Sequence, residues 1–504
     1  MSKIGSAGPV EYGNFMEYLL AVRDRGIAPS LKGYQFYTKP YDHQARSFEW
    51  ARMLPTCGLL LDMGLGKTKV TIDCACYRFE TLRIRRVLVV CPLSVVNSWV
   101  EEINTHCKPA YRSMCVLVGP KNKRIAELKK SGNSAYWIIT NDDGAKTLET
   151  QLKSYTKEDC EIVKDESITI KNKDTQRYKA LERLSRKTRY RKILSGAIVS
   201  NNLQDVWSQF FFLDRGETLG ENFWAFRNRY FHQINMGSFN LWQPKRGAEA
   251  EIKSRIYRTC IRYTKAQCLD LPEKIFLLRS IAMAPNQAKA YKEMADNLVA
   301  EVKNEITSAS VIITKLLRLS QITAGFIQPD ESVRPMSINE PKRDPKNNEI
   351  LSILQQTDDQ LVIWCRFQHE IRTLTRFLND NDYKTECIYG LVKQADRAQH
   401  INDWRDGGIR ILVCQVGTAG MGITLLPRIE RGITVIYRSN DYSLNNRLQS
   451  QDRTHRIGLK TPVTYLDLVC PGTIDETIMK ILTSKKSLAD AVTERSIEDI
   501  VKGQ

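Results

Sequence analysis

Short apolar runs, each closed by a breaker and followed by polar or helical sequence, recur along this chain in two groups of five. That rhythm limits the fold more than any other feature. The first group is Cys57–Leu61, Val87–Cys91, Tyr136–Thr140, Glu161–Lys164 and Lys192–Ser195; the second is Leu361–Cys365, Glu386–Tyr389, Ile409–Cys414, Gly432–Tyr437 and Val463–Val469. Runs this short and this continuous are what strands buried on both faces need, and the segments between them are long enough for crossover helices. The pattern predicts two α/β units in tandem, each on a parallel sheet. A length of 504 residues accommodates them.

Composition places the boundaries. Residues 1–35 read as an N-terminal extension and 36–208 as the first lobe. From Phe210 to Gln321 the chain is basic and aromatic, with helical spacing in Gln287–Val302 and Val311–Leu319, so 209–327 is taken as a helical decoration on the first lobe. Gln328–Asn348 is rich in Pro, Asn and charge and reads as a linker (328–348), followed by a second lobe at 349–470 and terminal helices at 471–504. Lys+Arg 75 against Asp+Glu 57 gives a formal +18, a field that concentrates polyanions, although charge alone does not separate a nucleic-acid binder from a merely soluble protein. The thirteen cysteines are scattered and form no C-x-x-C pair, which argues against a zinc ribbon or a disulfide framework. No long apolar stretch occurs, and the start Met1-Ser2-Lys3-Ile4-Gly5 lacks a signal core, so no membrane association and a cytoplasmic location are expected.

The chemistry starts at Leu59-Leu60-Leu61-Asp62-Met63-Gly64-Leu65-Gly66-Lys67-Thr68, an apolar strand entering a glycine-rich turn that opens a helix. Such a turn lets backbone N–H groups converge on phosphates; here Met63, Gly64, Leu65 and Gly66 would form the cradle, Lys67 would supply a point charge and Thr68 a hydroxyl for Mg²⁺. The strict G-x-x-x-x-G-K-T pattern wants glycine where this chain has Leu61. The apolar run Ile162-Val163 leads into Asp165-Glu166, with Asp165 to hold Mg²⁺ through water and Glu166 to orient and deprotonate the attacking water. Far downstream, Gln449-Ser450-Gln451-Asp452-Arg453-Thr454-His455-Arg456 offers two arginines one helical turn apart, whose forks match phosphoryl oxygens bidentately. Because they fall in the second lobe, hydrolysis is expected to act as a conformational switch.

With these three elements in order, the chain resembles superfamily 2 helicases of the Swi/Snf type, in their short phage and bacterial form, from about Tyr41 to Glu494. Tyr41-Asp42-His43-Gln44 looks like the adenine-reading Q motif. Leu88 to Ser94, followed by Trp99, is similar to motif Ia, and Ile138-Ile139-Thr140-Asn141 sits at motif Ib. Asp165-Glu166-Ser167 with Ile170-Lys171-Asn172 resembles motif II and its trailing I-K-N. Arg262-Tyr263-Thr264-Lys265, Leu271-Pro272-Glu273-Lys274, Gln287 and Tyr291 resemble the signature of the Swi/Snf branch. Leu361 to Phe367 looks like motif IV, Gly417 to Leu425 like motif V, and Gly472 to Glu476 with Lys485 and Lys486 like a C-terminal brace. Motif III departs from L-T-G-T-P, reading Leu194-Ser195-Gly196-Ala197-Ile198.

The resemblance implies two RecA-like lobes, ATP with Mg²⁺ as cofactors, and a nucleic-acid-dependent ATPase of the helicase class. It implies Gln44 and Gly422 as further ATP-binding residues, and phosphate-backbone contacts from Pro92, Ser94, Thr140, Asn141, Lys171, Asn172, Arg366 and Thr418. Ser195, Gly196 and Gln449 would couple hydrolysis to movement. The expected function is an ATP-dependent translocase on duplex, forked or branched DNA that remodels forks or migrates branches, with a monomer sufficient and the host cytoplasm its place if phage-encoded. An RNA helicase and a non-hydrolysing scaffold are the alternatives. Two basic clusters, Arg83-Ile84-Arg85-Arg86 and Arg186 to Lys192, could widen the contact surface.

Overall fold

The computed structural model describes residues 34–196, 203–235, 240–303, 309–328, 334–417, 423–484 and 497–503. Two compact units divide at Leu269 and Asp270.

The first unit is built on strands β1 (Thr56–Leu61), β2 (Arg86–Cys91), β3 (Met114–Leu117), β4 (Trp137–Asn141), β5 (Cys160–Asp165) and β6 (Tyr190–Leu194). A hairpin, β7 (Phe231–Asn235) and β8 (Asn240–Pro244), precedes β9 (Cys260–Tyr263). The parallel sheet runs β3-β4-β2-β5-β6-β1-β9. Alternate residues feed separate cores: Leu60, Leu88, Ile162 and Ile193 pack on one face, while Leu59, Val89, Val163 and Leu194 pack on the other. Burial on both faces is why these runs are continuously apolar in sequence. Close packing at the sheet edge needs Gly58, because a Cβ there would collide with Cys260 Sγ on the neighbouring strand.

Beneath that sheet lies a fully buried charge cluster. Glu161 of β5 meets Arg78 at 2.6 Å and also pairs with Lys192 of β6. Arg78, in the last turn of the helix Lys67–Glu80, donates to the carbonyls of Ala51 and Leu54, and lies over the Tyr190 ring.

The second unit carries β10 (Lys274–Ser280), a short pair β11 (Phe326–Ile327) and β12 (Met336–Ser337), then β13 (Gln360–Cys365), β14 (Thr385–Ile388), β15 (Ile411–Gln415), β16 (Ile433–Tyr437) and β17 (Val463–Val469). Its parallel sheet runs β10-β17-β16-β13-β15-β14. Helices Pro285–Lys303, Ala309–Thr323, Ile474–Ser484 and Ile497–Val501 share a second core through Leu298, Leu316, Ile322, Ile478 and Ile500. Tyr291 ties it together, donating from its hydroxyl to Val501 O and accepting from Ile474 N, both at 2.7 Å. Gln287 donates to Ile322 O. These two signature positions serve packing.

The segment 209–327, read from sequence as one helical decoration, is divided. Its first part packs with the first unit and includes the hairpin and β9, whereas from Lys274 the chain enters the second sheet, in register with Val463 of β17. Basic and aromatic composition reports neither which core a segment joins nor that an edge strand lies within it. The linker read at 328–348 is similarly shortened, because Asp344 caps a helix that starts at Pro345. Residues 1–33, 329–333 and 485–496, with Lys485 and Lys486, lie outside the described residues. Among the described residues no helix is long and apolar enough to cross a membrane.

Candidate nucleotide site and its neighbours

The glycine-rich turn read as a phosphate loop forms at the carboxyl edge of the first sheet. Leu61 is still strand, fully buried and in register with Tyr263 of β9, so the turn opens at Asp62 and position 61 does not need a glycine. Gly64 (φ +84°) and Gly66 (φ +80°) take the left-handed conformation that side chains disfavour, and a Cβ on Gly66 would also collide with the Gln44 amide. Lys67 and Thr68 then begin the helix Lys67–Glu80, where unpaired N–H groups favour an anion. Lys67 Nζ donates to Leu61 O at 2.8 Å.

Register places the acidic pair beside this loop. Leu59 of β1 and Asp165 of β5 both face Leu194 of β6, so one strand separates them, about 10 Å at the usual strand spacing. Asp165 accepts the Trp99 indole N–H at Oδ2 (2.9 Å) and the Glu166 amide at Oδ1 (2.9 Å). Glu166 is one of four non-glycine residues with positive φ among the described residues (φ +48°), which turns the chain sharply after the strand. Lys164, fully buried, pairs with Asp142 at 2.9 Å and donates to Asp165 O. Among the described residues no cluster of three or more His, Cys, Asp or Glu could hold an ion. The hydroxyl of Thr68 and the carboxylate of Asp165 are nonetheless hard oxygen donors of the kind that would hold Mg²⁺.

Gln44 is held by backbone at both ends, its Oε1 accepting from Tyr41 N and its Nε2 donating to Leu65 O. His43 Nε2 donates to the same Leu65 carbonyl, and burial lowers the pKa of that imidazole. The Q-motif helix Asp42–Ala51 is thereby fastened to the phosphate loop. Beside it opens a 670 Å³ pocket lined by Tyr41, His43, Arg46, Tyr263 and Gln267, with the Tyr41 ring half exposed and near-parallel to His43. Sequence reasoning missed Tyr263 and Gln267 as walls of this pocket, because they arrive from β9 and the short helix Lys265–Cys268, far along the chain from Tyr41.

Ser195 and Gly196 close β6 next to the loop. Ser195 is buried and its amide donates to Leu59 O, while Gly196 lies against Met63. Arg262 bridges the two, donating from Nη1 to Gly196 O and pairing with Asp62. Asp62 also accepts from Lys265 N. Ala197, Ile198, Thr418 and Gly422 lie outside the described residues.

The nucleic-acid candidates divide. Pro92 and Ser94 sit on the turn after β2, partly exposed, and Lys171 and Asn172 are exposed, Lys171 lying 3.4 Å from Asp205. Thr140, however, is fully buried with its hydroxyl donating to Leu117 O, and Asn141 caps the helix Asp142–Thr147. Their side chains serve the fold, so only their backbone is left to meet a phosphate. The basic cluster Arg186 to Lys192 also turns inward at its end: Tyr190, Arg191 and Lys192 are buried, with Arg191 donating to Leu213 O and Thr188 O.

Within the second unit, Gln449 and Arg453 lie on the helix Leu444–Thr454, which ends before Arg456. The two arginines are therefore not on one helix: His455 breaks it, its Nε2 donating to Pro272 O. Arg456 Nη1 donates to Thr424 Oγ1 at 2.5 Å, and Leu425 N donates to Arg453 O, so the segment read as motif V is fastened to the segment that carries the two arginines. Arg366 lies between the Phe367 and Tyr442 rings, about five ångströms from each (5.1 and 5.2 Å).

Residues 43–325 match the SNF2-related domain family, and residues 345–458 match the helicase conserved C-terminal domain. The chain belongs to the SNF2-related family. It is a Swi/Snf-type member of helicase superfamily 2, a group of nucleic-acid-dependent ATPases. This SNF2-related chain is similar to the chromodomain-helicase-DNA-binding protein 1-like of Danio rerio, 26% identical over 87% of this chain and 42% of that protein. It is similar to protein p41 of Acyrthosiphon pisum secondary endosymbiont phage 1, 24% identical over 91% of this chain and 98% of p41. A solved Sulfolobus solfataricus SWI2/SNF2 ATPase core in complex with dsDNA is also similar, at 25% identity and TM-score 0.43, covering 93% of this chain and 98% of that one. The chain thus spans less than half of the fish protein and nearly all of the phage protein.

Proposed function

We propose that this SNF2-related chain is an ATP-driven translocase on duplex or branched DNA, acting in the cytoplasm to remodel forks or migrate branches. The observation that carries this reading is the edge where Leu59, Leu194 and Asp165 stand in register. There the phosphate loop, the acidic pair and the Ser195-Gly196 turn form one connected unit. The name of the fish relative, a chromodomain-helicase-DNA-binding protein, supports DNA as the track.

In this reading Lys67 and the loop amides hold the phosphates of ATP, and the Tyr41 and Arg46 pocket takes the adenine. Thr68 and Asp165 hold Mg²⁺, which when bound would neutralise phosphate charge. Glu166 orients the attacking water and accepts its proton, and Arg453 and Arg456 stabilise the charge that spreads over the transferred phosphoryl group. Backbone contacts around Pro92, Ser94, Lys171, Asn172, Arg366 and Thr418 hold DNA without reading its sequence, which a motor requires.

Steady-state ATP hydrolysis with no nucleic acid, single-stranded DNA, blunt duplex, a fork, a four-way junction and RNA tests the proposal. Greatest stimulation by branched DNA supports it. Stimulation by RNA alone makes the chain an RNA helicase, and no hydrolysis on any substrate makes it a scaffold.

A further inference from the structure

Of the chain's eight tryptophans, all among the described residues, Trp224 alone is exposed, at 54%. It stands on the helix Phe223–Tyr230, whose start is fixed by Asn222 Oδ1 accepting from the amides of Trp224 and Ala225. One turn on, Arg227 places its guanidinium 4.2 Å from the centre of the Trp224 ring and 3.8 Å from that of Trp242. Lys173 lies 5.3 Å from the same Trp224 ring and 5.1 Å from Phe223. Trp224, Arg227, Lys173 and Phe223, but not Trp242, line an open pocket of 330 Å³ together with Lys171 and Asn172.

Charge in the pocket is uneven. Lys173 and Lys171 are each near a carboxylate, Asp174 at 2.9 Å and Asp205 at 3.4 Å. No carboxylate of the described residues pairs with Arg227, and its Nε is buried without an acceptor. An indole buttressed by cations and left open to solvent is a surface for a flat, electron-rich ring whose backbone carries negative charge. Bases inside a duplex are already stacked and cannot present their faces, whereas unpaired bases can.

We propose that Trp224, with Arg227 and Lys173 around it, is a stacking platform for an unpaired nucleotide of a DNA single strand, at the margin of the Lys171–Asn172 contact region. The proposal rests on the DNA-motor reading above and adds a single-strand site to it. Such a site would favour junctions and forks that expose unpaired bases over blunt duplex.

The test compares binding of the full chain to a blunt duplex and to the same duplex bearing an oligothymidine tail, by fluorescence anisotropy. Wild type is expected to prefer the tailed duplex. Trp224→Ala should lose that preference, roughly a fivefold to hundredfold weakening on tailed DNA, the usual worth of one stacked base. Blunt-duplex affinity, which also reports correct folding, should be kept. Trp224→Phe should retain most of the preference, and Arg227→Ala should reduce it. A wild type with no tail preference, a Trp224→Ala variant that keeps it, or a variant equally weakened on both substrates overturns the platform. Wild type that binds neither substrate sinks the DNA-motor reading itself.

Discussion

Arg262 donates to the carbonyl of Gly196 at 3.1 Å, and its second terminal nitrogen lies 3.5 Å from Asp62 of the phosphate loop. One guanidinium thus spans the glycine-rich loop and the turn read as motif III. That turn departs from the family pattern at Ala197, so the bridge from Arg262 gives it a connection that does not depend on the missing hydroxyl. Arg262→Ala should leave nucleotide binding largely intact while lowering DNA-stimulated hydrolysis by about tenfold or more, the worth of a charged hydrogen bond lost where it counts. Arg262→Lys should not rescue it, because an ammonium cannot make the forked contact. Nucleotide affinity and stimulated kcat, measured separately, check this.

Trp99 sets the orientation of Asp165. Its indole holds one carboxylate oxygen at 2.9 Å and leaves the group's direction fixed before any ion arrives. Trp99→Phe keeps the ring and removes the donor. The expected result is a higher Mg²⁺ requirement for hydrolysis, by roughly 10–100-fold in apparent affinity as for other outer partners of metal ligands. A Mg²⁺ titration of ATPase activity reads this directly.

Glu161 pairs with both Arg78 and Lys192, all three fully buried. Burial alone raises its pKa, but the two cations outweigh that and hold it below the ordinary 4.5. Its contribution to stability is therefore present above pH 4.5 and is lost as pH falls through the lower folded value. Glu161→Ala strands two buried cations and should destabilise the first unit by about 3–5 kcal/mol at neutral pH. Thermal melts of variant and wild type at descending pH should show the gap narrowing below pH 4.5.

The two sheets were legible in sequence where strands are buried on both faces, since a run such as Val87–Cys91 can do little else. The strands that escaped are those at edges. Cys260–Tyr263 is interrupted by the charged Arg262, whereas Met114–Leu117 and Lys274–Ser280 do carry short apolar runs that went unread, and the fold leaves those runs half-buried or exposed at the sheet edges. The glycine-rich turn Gly64 to Thr68 and the strand that ends at Asp165 were legible as local structure, because strand, turn and helix follow one another along the chain. Tyr263, Gln267 and the bridging roles of Arg262 and Trp99 were not, because they depend on which distant strand lies next to β1 or which helix faces β5.

In the proposed mechanism, hydrolysis moves this chain along duplex DNA. A triplex-displacement assay tests it most directly: a third strand bound to one end of a long duplex is released if a motor travels beneath it. Wild type with ATP and Mg²⁺ should release the third strand. Glu166→Gln, with hydrolysis reduced roughly 10²–10⁴-fold by loss of the base, should bind ATP and DNA and release none. DNA-stimulated hydrolysis without any third-strand release in the wild type would contradict the account.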